Sequence, residues 1–267
     1  METKVILVTG ASSGMGKETA KVLAGMGHKI YGGARRMERM EDLKEMGIVP
    51  ICMDVTKEED NKKAVERIIK EEGRIDVLIN NAGFGLYGTV EDIPMEDARY
   101  QFDVNLFGLA NLSQLVLPHM RKQGSGRIVN ISSMGGKIYT PLGAWYHASK
   151  HAVEGFSDCL RIETKSFGID VVVIEPGAIE TDFGKVMGES FVKNAESSAY
   201  KSLYDPYIKM MEDQNNGNGN SSFSATKPEV LAKVIAEAAT VKNSNTRYVA
   251  GAMAKQMMFI RKWFGDR

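Results

Sequence analysis

Val5-Ile6-Leu7-Val8-Thr9-Gly10-Ala11-Ser12-Ser13-Gly14-Met15-Gly16 decides the fold. The apolar run from Val5 to Thr9 reads as a strand covered on both faces. Small residues then turn the chain, and a helix opens at Gly14 and continues to about Met26. Glycine lets backbone approach a ligand closely, and the unpaired N–H groups of a first helical turn point at it. Strand, turn and helix therefore make an anion cradle suited to a pyrophosphate. Its spacing, Gly10-x-x-x-Gly14-x-Gly16, differs from the general Gly-x-Gly-x-x-Gly fingerprint. A Walker loop is excluded, because Ala11 occupies its first glycine position and Glu18 follows Lys17.

Outward from this unit, short strands alternate with helical patterns. Strands are expected at Lys29 to Ala34, Val49 to Met53, Val77 to Asn80, Arg127 to Ser132 and Asp170 to Glu175. Helices are expected near Met37 to Met46, at Glu58 to Glu71, as one long region from Met95 to Lys122, and at Ala144 to Phe167. This alternation implies right-handed crossovers and an α/β doubly wound parallel sheet with helices on both faces. The period breaks after Pro176-Gly177, and residues 183–226 read as an insertion over the sheet, with a mobile tip at Gln214 to Asn220. A helix restarts at Lys227-Pro228-Glu229, followed by a strand at Arg247 to Val249. Residues 1–267 read as one domain.

Composition narrows the function. Lys+Arg and Asp+Glu both total 34, so no charge imbalance points to nucleic acid. Cys52 and Cys159 stand far apart without a Cys-x-x-Cys, which fits a reducing cytoplasm. No stretch approaches the roughly 18 apolar residues of a membrane span. His147 and His151 lack a third ligand at useful spacing, so no metal is expected. The amphipathic, basic-tipped end from Met257 to Phe264 is expected to dock on its own domain or on a partner subunit rather than on a membrane.

The second strand bears on which dinucleotide the cradle takes. It ends Gly32-Gly33-Ala34-Arg35-Arg36, with no carboxylate to grip a ribose 2′-hydroxyl. Two guanidiniums there pair with a 2′-phosphate, favouring NADP(H) over NAD(H). Chemistry enters with Tyr146-x-x-x-Lys150. Four residues apart on a helix, the ammonium sits on the face of the phenol and is expected to bring its pKa of about 10 toward neutrality. Ser132 or Ser133 supplies a hydroxyl, and strand alternation turns the two to opposite faces.

These residues resemble the short-chain dehydrogenase/reductase family in its compact branch, over nearly the whole chain except about 183–226. The likeness implies a Rossmann fold. It carries Gly10, Ser12, Ser13, Gly14, Met15 and Gly16 to the cofactor turn. By the same resemblance Asp54 and Val55 flank the adenine. Asn81, Ala82 and Gly83 pass under the cofactor, and Pro176, Gly177, Ile179 and Thr181 hold the nicotinamide side. Asn105, Ser133, Tyr146 and Lys150 match the catalytic tetrad, and the family's spacing selects Ser133. The resemblance also implies a small-molecule carbonyl or alcohol substrate and a homodimer or homotetramer.

Tyr146 would then act as general acid and base, Ser133 would hold the developing charge, and Lys150 would tune the phenol. Asn105 would hold a water that connects Lys150 to solvent. The substrate wall is expected from the Phe84-to-Gly88 loop with Tyr87, and from Leu142, Phe183, Met187, Phe191, Tyr204 and Met211, an apolar set. The likeness is greatest to hydroxysteroid and retinol dehydrogenases. Two other readings stay open: a redox sensor that binds NADP(H) without turnover, and an epimerase or dehydratase.

Overall fold

The computed structural model describes residues 2–180, 188, 191, 192, 195, 198–215 and 225–265. Seven strands, β1 (Val5–Thr9), β2 (Lys29–Ala34), β3 (Val49–Cys52), β4 (Val77–Asn80), β5 (Gly126–Ile131), β6 (Ile169–Pro176) and β7 (Arg247–Ala250), form one parallel sheet. Their order is β3-β2-β1-β4-β5-β6-β7. The chain leaves β1 toward one edge and returns at β4 toward the other, which opens a crevice at their C-terminal ends.

Alternation along each strand feeds two apolar layers. Ile6, Val8, Ile79, Val129 and Ile174 share one cluster with Ala20 and Leu23 of α1 (Gly14–Gly25) and with Ile235 and Ala236 of the helix Pro228–Thr240, which covers β5 and β6. Leu7, Leu78 and Ile128 share a second cluster with α3 (Glu58–Glu72) and α5 (Gly108–Gln123) on the opposite face, where the helix Ala144–Thr164 covers Val171. Burial on both faces explains why these strands read as continuous apolar runs. Leu78 is fully buried and lies in register with Leu7 and Ile128. Leu78→Ala is therefore expected to lower the unfolding free energy by about 2–5 kcal/mol, seen as a lower urea midpoint at unchanged m.

The charged helix expected near Met37 to Met46 is broken. A 3₁₀ turn at Met37–Met40 leads into one helical turn, α2 (Glu41–Lys44). Only Met40 and Leu43 are buried there, and Gly47 at φ +75° ends the segment, so too little apolar surface is covered to hold a longer helix. The long region from Met95 is continuous but not uniform. A π-helical turn, Asp103–Phe107, separates α4 (Met95–Phe102) from α5. Such insertions re-aim side chains and often occur at functional sites.

Helix α6 (Ala144–Thr164) packs on β6 and is clamped to β7 by part-buried ion pairs around the buried Glu154. Arg247 donates to Glu154 Oε2 at 3.0–3.1 Å and to both oxygens of Asp158 at 2.7 Å. Lys137 pairs with the same Glu154 oxygen at 2.9 Å. Burial, with Glu154 beside it, lifts the Glu175 carboxyl to about 7. Of the insertion, helix α7 (Lys201–Asn215) runs through Gln214 and Asn215, which the sequence assigned to the loop tip. Thereafter come α8 (Pro228–Thr240), β7 and α9 (Ala254–Phe264). Among the described residues, no helix is long and apolar enough to cross a membrane.

Candidate active site

A cleft of about 480 Å³ opens at the crevice between β1 and β4. It is lined by Gly10, Ser12, Ser13, Gly14 and Met15 from the first turn, and by Arg35 and Arg36 beyond β2. Asp54 and Val55 come from beyond β3, and Asn81, Ala82 and Gly83 from beyond β4. Residues scattered over 70 positions thus meet on one wall because parallel strands end at the same edge.

The cradle is built for close approach. Gly10 stands at φ +69°, and a Cβ there would lie 2.8 Å from Asn81 Nδ2 and 3.0 Å from Ala82 Cα. Gly16 is buried rather than on the wall: a Cβ there would strike Asn81 Nδ2 and the Gly10 carbonyl, so this glycine seats the helix against the turn. Thr9 pins the facing segment, its hydroxyl accepting from Asn81 N and Ala82 N at 3.0 Å each. Asn81 Nδ2 donates to the Thr9 carbonyl at 2.9 Å. A dinucleotide's pyrophosphate suits this glycine cradle at the N-terminus of α1.

The two arginines reach the rim differently. Arg35 donates to the Tyr100 hydroxyl at 2.7 Å and stands 4.0 Å from Asp54. Arg36 Nη2 lies 3.4 Å from Ser13 Oγ, so a guanidinium and a hydroxyl converge beside the glycine turn. Tyr100 also stacks obliquely on Phe84 at 5.6 Å. Phe84, Tyr100, Val104, Met53, Gly33 and Ala34 complete the cleft lining and were not singled out for it from sequence. Tyr100 lies on α4, five residues before Asn105, and no local pattern in the sequence marked it as a cleft residue. The Phe84–Gly88 loop therefore divides: Phe84 faces this cleft, while Tyr87 faces Tyr146 at 5.4 Å.

Tyr146 and Ser133 share a hydrogen bond. The Ser133 hydroxyl also accepts from Gly135 N at 3.0 Å, which fixes its direction. Ser132 Oγ is buried without a partner beside Gly136, so alternation has separated the two serines. His147 brackets the same turn. Its Nε2 accepts from Thr140 N at 3.1 Å, which leaves the proton on Nδ1 to donate to the Gly135 carbonyl at 2.9 Å. Both nitrogens are occupied in holding the loop.

Lys150 Nζ donates to the Ile131 carbonyl at 2.8 Å and lies 6.0 Å from the Tyr146 ring centroid. A Cβ on Gly83 would stand 3.6 Å from Lys150 Nζ and 3.1 Å from Asn105 Oδ1, so the lysine lies directly behind the Gly83 wall of the cleft. Asn105 sits on the π-helical turn. Its Oδ1 accepts from Phe84 N at 3.0 Å, while Nδ2 donates to Phe84 O at 2.9 Å and Ser149 Oγ at 3.0 Å. Both amide protons are thus engaged, one by the loop and one by Ser149, while Oδ1 keeps a second lone pair.

The acidities differ from the local expectation. Burial pushes Tyr146 up to about 12, with the Ser133 hydrogen bond opposing, and brings Lys150 down to about 8, with Glu154 opposing. One helical turn placed an ammonium near a phenol, but desolvation of both groups outweighs their proximity. Tyr146 is therefore a protonated donor at neutral pH.

At the end of β6, Pro176 pairs with Ala250 of β7, Gly177 N donates to Ala250 O at 2.8 Å, and Ile179 bridges Thr226. Leu142 is buried with Phe191 and Tyr204. Its φ of +64° is held by Gly88 N donating to its carbonyl at 2.7 Å, and strained backbone of this kind gathers at functional sites. Tyr204 is scaffold rather than open wall: its hydroxyl accepts from Thr89 N and donates to Asp92, both at 2.9 Å. Thr181, Phe183, Met187 and the side chain of Met211 lie outside the described residues.

A glycine cradle at a parallel-sheet crevice, with a phenol, a hydroxyl and a buried amine beyond its Gly83 wall, defines the class of dinucleotide-fold oxidoreductases. The family model described as short chain dehydrogenase matches residues 4–190, and the chain belongs to the short-chain dehydrogenase/reductase family. It is 36% identical to the 3-ketodihydrosphingosine reductase of Bacteroides thetaiotaomicron, over 100% of this chain and 95% of that protein. The crystal structure of a short-chain dehydrogenase from Streptomyces avermitilis is similar at TM-score 0.82 and 31% identity, covering 98% and 96% of the two chains. The closed form of a serine dehydrogenase complexed with NADP+ is similar at TM-score 0.77 and 26% identity, covering 93% and 95%. The finer likeness to hydroxysteroid and retinol enzymes is only loosely supported by these relatives.

Proposed function

We propose that this oxidoreductase uses NADP(H) to reduce the ketone of a long-chain, apolar substrate, with Tyr146 as the proton donor. The observation that carries the reading is the Tyr146–Ser133 hydrogen bond beside Lys150, behind the Gly83 wall of a cleft rimmed by two arginines. Ser12, Ser13, Gly14 and Met15 would take the pyrophosphate, and Arg35 and Arg36 the 2′-phosphate. When bound, the nicotinamide supplies the hydride. Ser133 orients the carbonyl oxygen and stabilises its growing charge, and the phenol of Tyr146 passes its proton to that oxygen. The Lys150 ammonium stabilises the phenolate that remains, and Asn105 holds the Phe84 loop against the lysine.

The apolar setting of Tyr87 and Leu142 and the full-length relationship to a reductase of 3-ketodihydrosphingosine support a long-chain substrate. Reduced-nicotinamide absorbance should fall with 3-ketodihydrosphingosine and other long-chain ketones, with kcat/KM rising with chain length. Turnover confined to short polar carbonyls would overturn the substrate reading. A single domain assembled into homodimers or homotetramers through α6, working in a reducing cytoplasm where Cys52 and Cys159 stay free, completes the proposal.

Acidity gives a further test. Lys150 is charged below about pH 8, so kcat/KM for reduction is expected to be flat below that value and to fall above it. Folding lowers this lysine's pKa, so the folded state binds fewer protons between about 8 and 10.5. The cost of burying the cation is fully present below pH 8, and coenzyme-free stability from this group should rise as pH passes through that window. A pH–rate profile and urea unfolding across the same range check both signs; in Lys150→Met the rise in stability should vanish.

A further inference from the structure

Helix α9 holds Phe259, Ile260, Trp263 and Phe264 in the open, at 58%, 51%, 66% and 63% exposure. At roughly 100° per residue these four fall within one sector of the helix, about 140° wide. Lys255 and Lys262, both exposed, flank one edge of that sector. The protein's own body takes the other side: Ala254 is buried, Met257 and Met258 are half-buried, and the Arg261 guanidinium lies 5.1 Å over the Tyr139 ring. Own-domain docking thus covers one face and leaves the more aromatic one exposed to solvent, and contiguous exposed apolar residues of this kind mark interaction sites.

Charge decides between occupants. Residues 254–265 contain Lys255, Arg261 and Lys262 and no carboxylate. A second copy laid on the same face would bring two cationic edges to one seam with no acid from either helix. An anionic bilayer accepts both features: rings enter the headgroup–acyl boundary, and lysines extend to the phosphates beside them. The Tyr139 contact also ties this helix to the loop that ends at Leu142, beside Tyr146.

We propose that α9 lies flat on anionic phospholipid membranes, with its Phe259–Trp263 face inserted and its lysines on the headgroups. This surface serves no step of the reduction, and binding is measured without substrate, so its failure would leave the ketone reading intact. The full chain is sedimented with vesicles of phosphatidylcholine alone and of phosphatidylcholine mixed with phosphatidylglycerol. Preference for the mixed vesicles by about tenfold or more is expected. Trp263→Ser/Phe264→Ser should abolish pelleting, and Lys255→Glu/Lys262→Glu should remove the preference, each with NADPH binding and turnover of a water-soluble ketone unchanged. Wild-type protein left in the supernatant, or pelleting undiminished in either variant, would overturn the proposal. An oligomer that Trp263→Ser/Phe264→Ser converts to monomer would equally overturn it, assigning the face to a second copy.

Discussion

Tyr146→Phe is expected to lower kcat for ketone reduction by about 10²–10⁴-fold while leaving the Kd for NADPH within about twofold. The phenol is buried, hydrogen-bonded to Ser133, and held near 12, so at neutral pH it keeps the proton that the reaction consumes. Removing one oxygen leaves the ring's packing against Tyr87 in place, at a centroid separation of 5.4 Å in the wild type. The loss should therefore fall on the chemical step and not on folding or on coenzyme affinity. Stopped-flow single turnovers, with coenzyme binding followed by nicotinamide fluorescence, separate the two. Near-normal turnover would remove Tyr146 from the mechanism.

Arg35→Ala/Arg36→Ala is expected to weaken NADPH binding by about 10²-fold or more, with NADH changed by less than about threefold. Each charge-assisted hydrogen bond to a phosphate contributes roughly 1.5–3 kcal/mol, and every 1.4 kcal/mol is a factor of ten. Arg36 already converges with Ser13 at 3.4 Å, and this is where a phosphate would add its oxygens. Arg35 is exposed and shares its environment with Asp54 and Tyr100, so its single replacement should cost less than that of Arg36. Equal losses for both coenzymes in isothermal titration would show that the arginines do not read a 2′-phosphate.

Much of the scaffold was legible in the chain. The bounds of β1, β2 and β4 could be read residue by residue: β1 and β4 are unbroken apolar runs closed by glycine or asparagine, and β2 stops where Arg35-Arg36 begins. The segment after Arg36 was misread because its charge spacing suited a helix, yet stability there depends on how much apolar surface Met40 and Leu43 find to cover. Phe84, read from the sequence as part of the substrate wall, lines the cleft beside Tyr100 for a similar reason. Its loop is turned by Asn105, a partner 21 residues away, and no local pattern records that hydrogen bond.

Identity of the chemical groups and their order along the strands were written in one dimension: a glycine turn after β1, basic residues after β2, and a serine, tyrosine and lysine after β5. Their acidities were not. Solvent exclusion is a property of everything that closes around Tyr146 and Lys150, including β5, Tyr87 and the turn at Gly135, and it reverses the shift that a neighbouring cation alone would impose on the phenol. Spacing specifies which atoms can meet; the dielectric in which they meet exists only after the chain has folded.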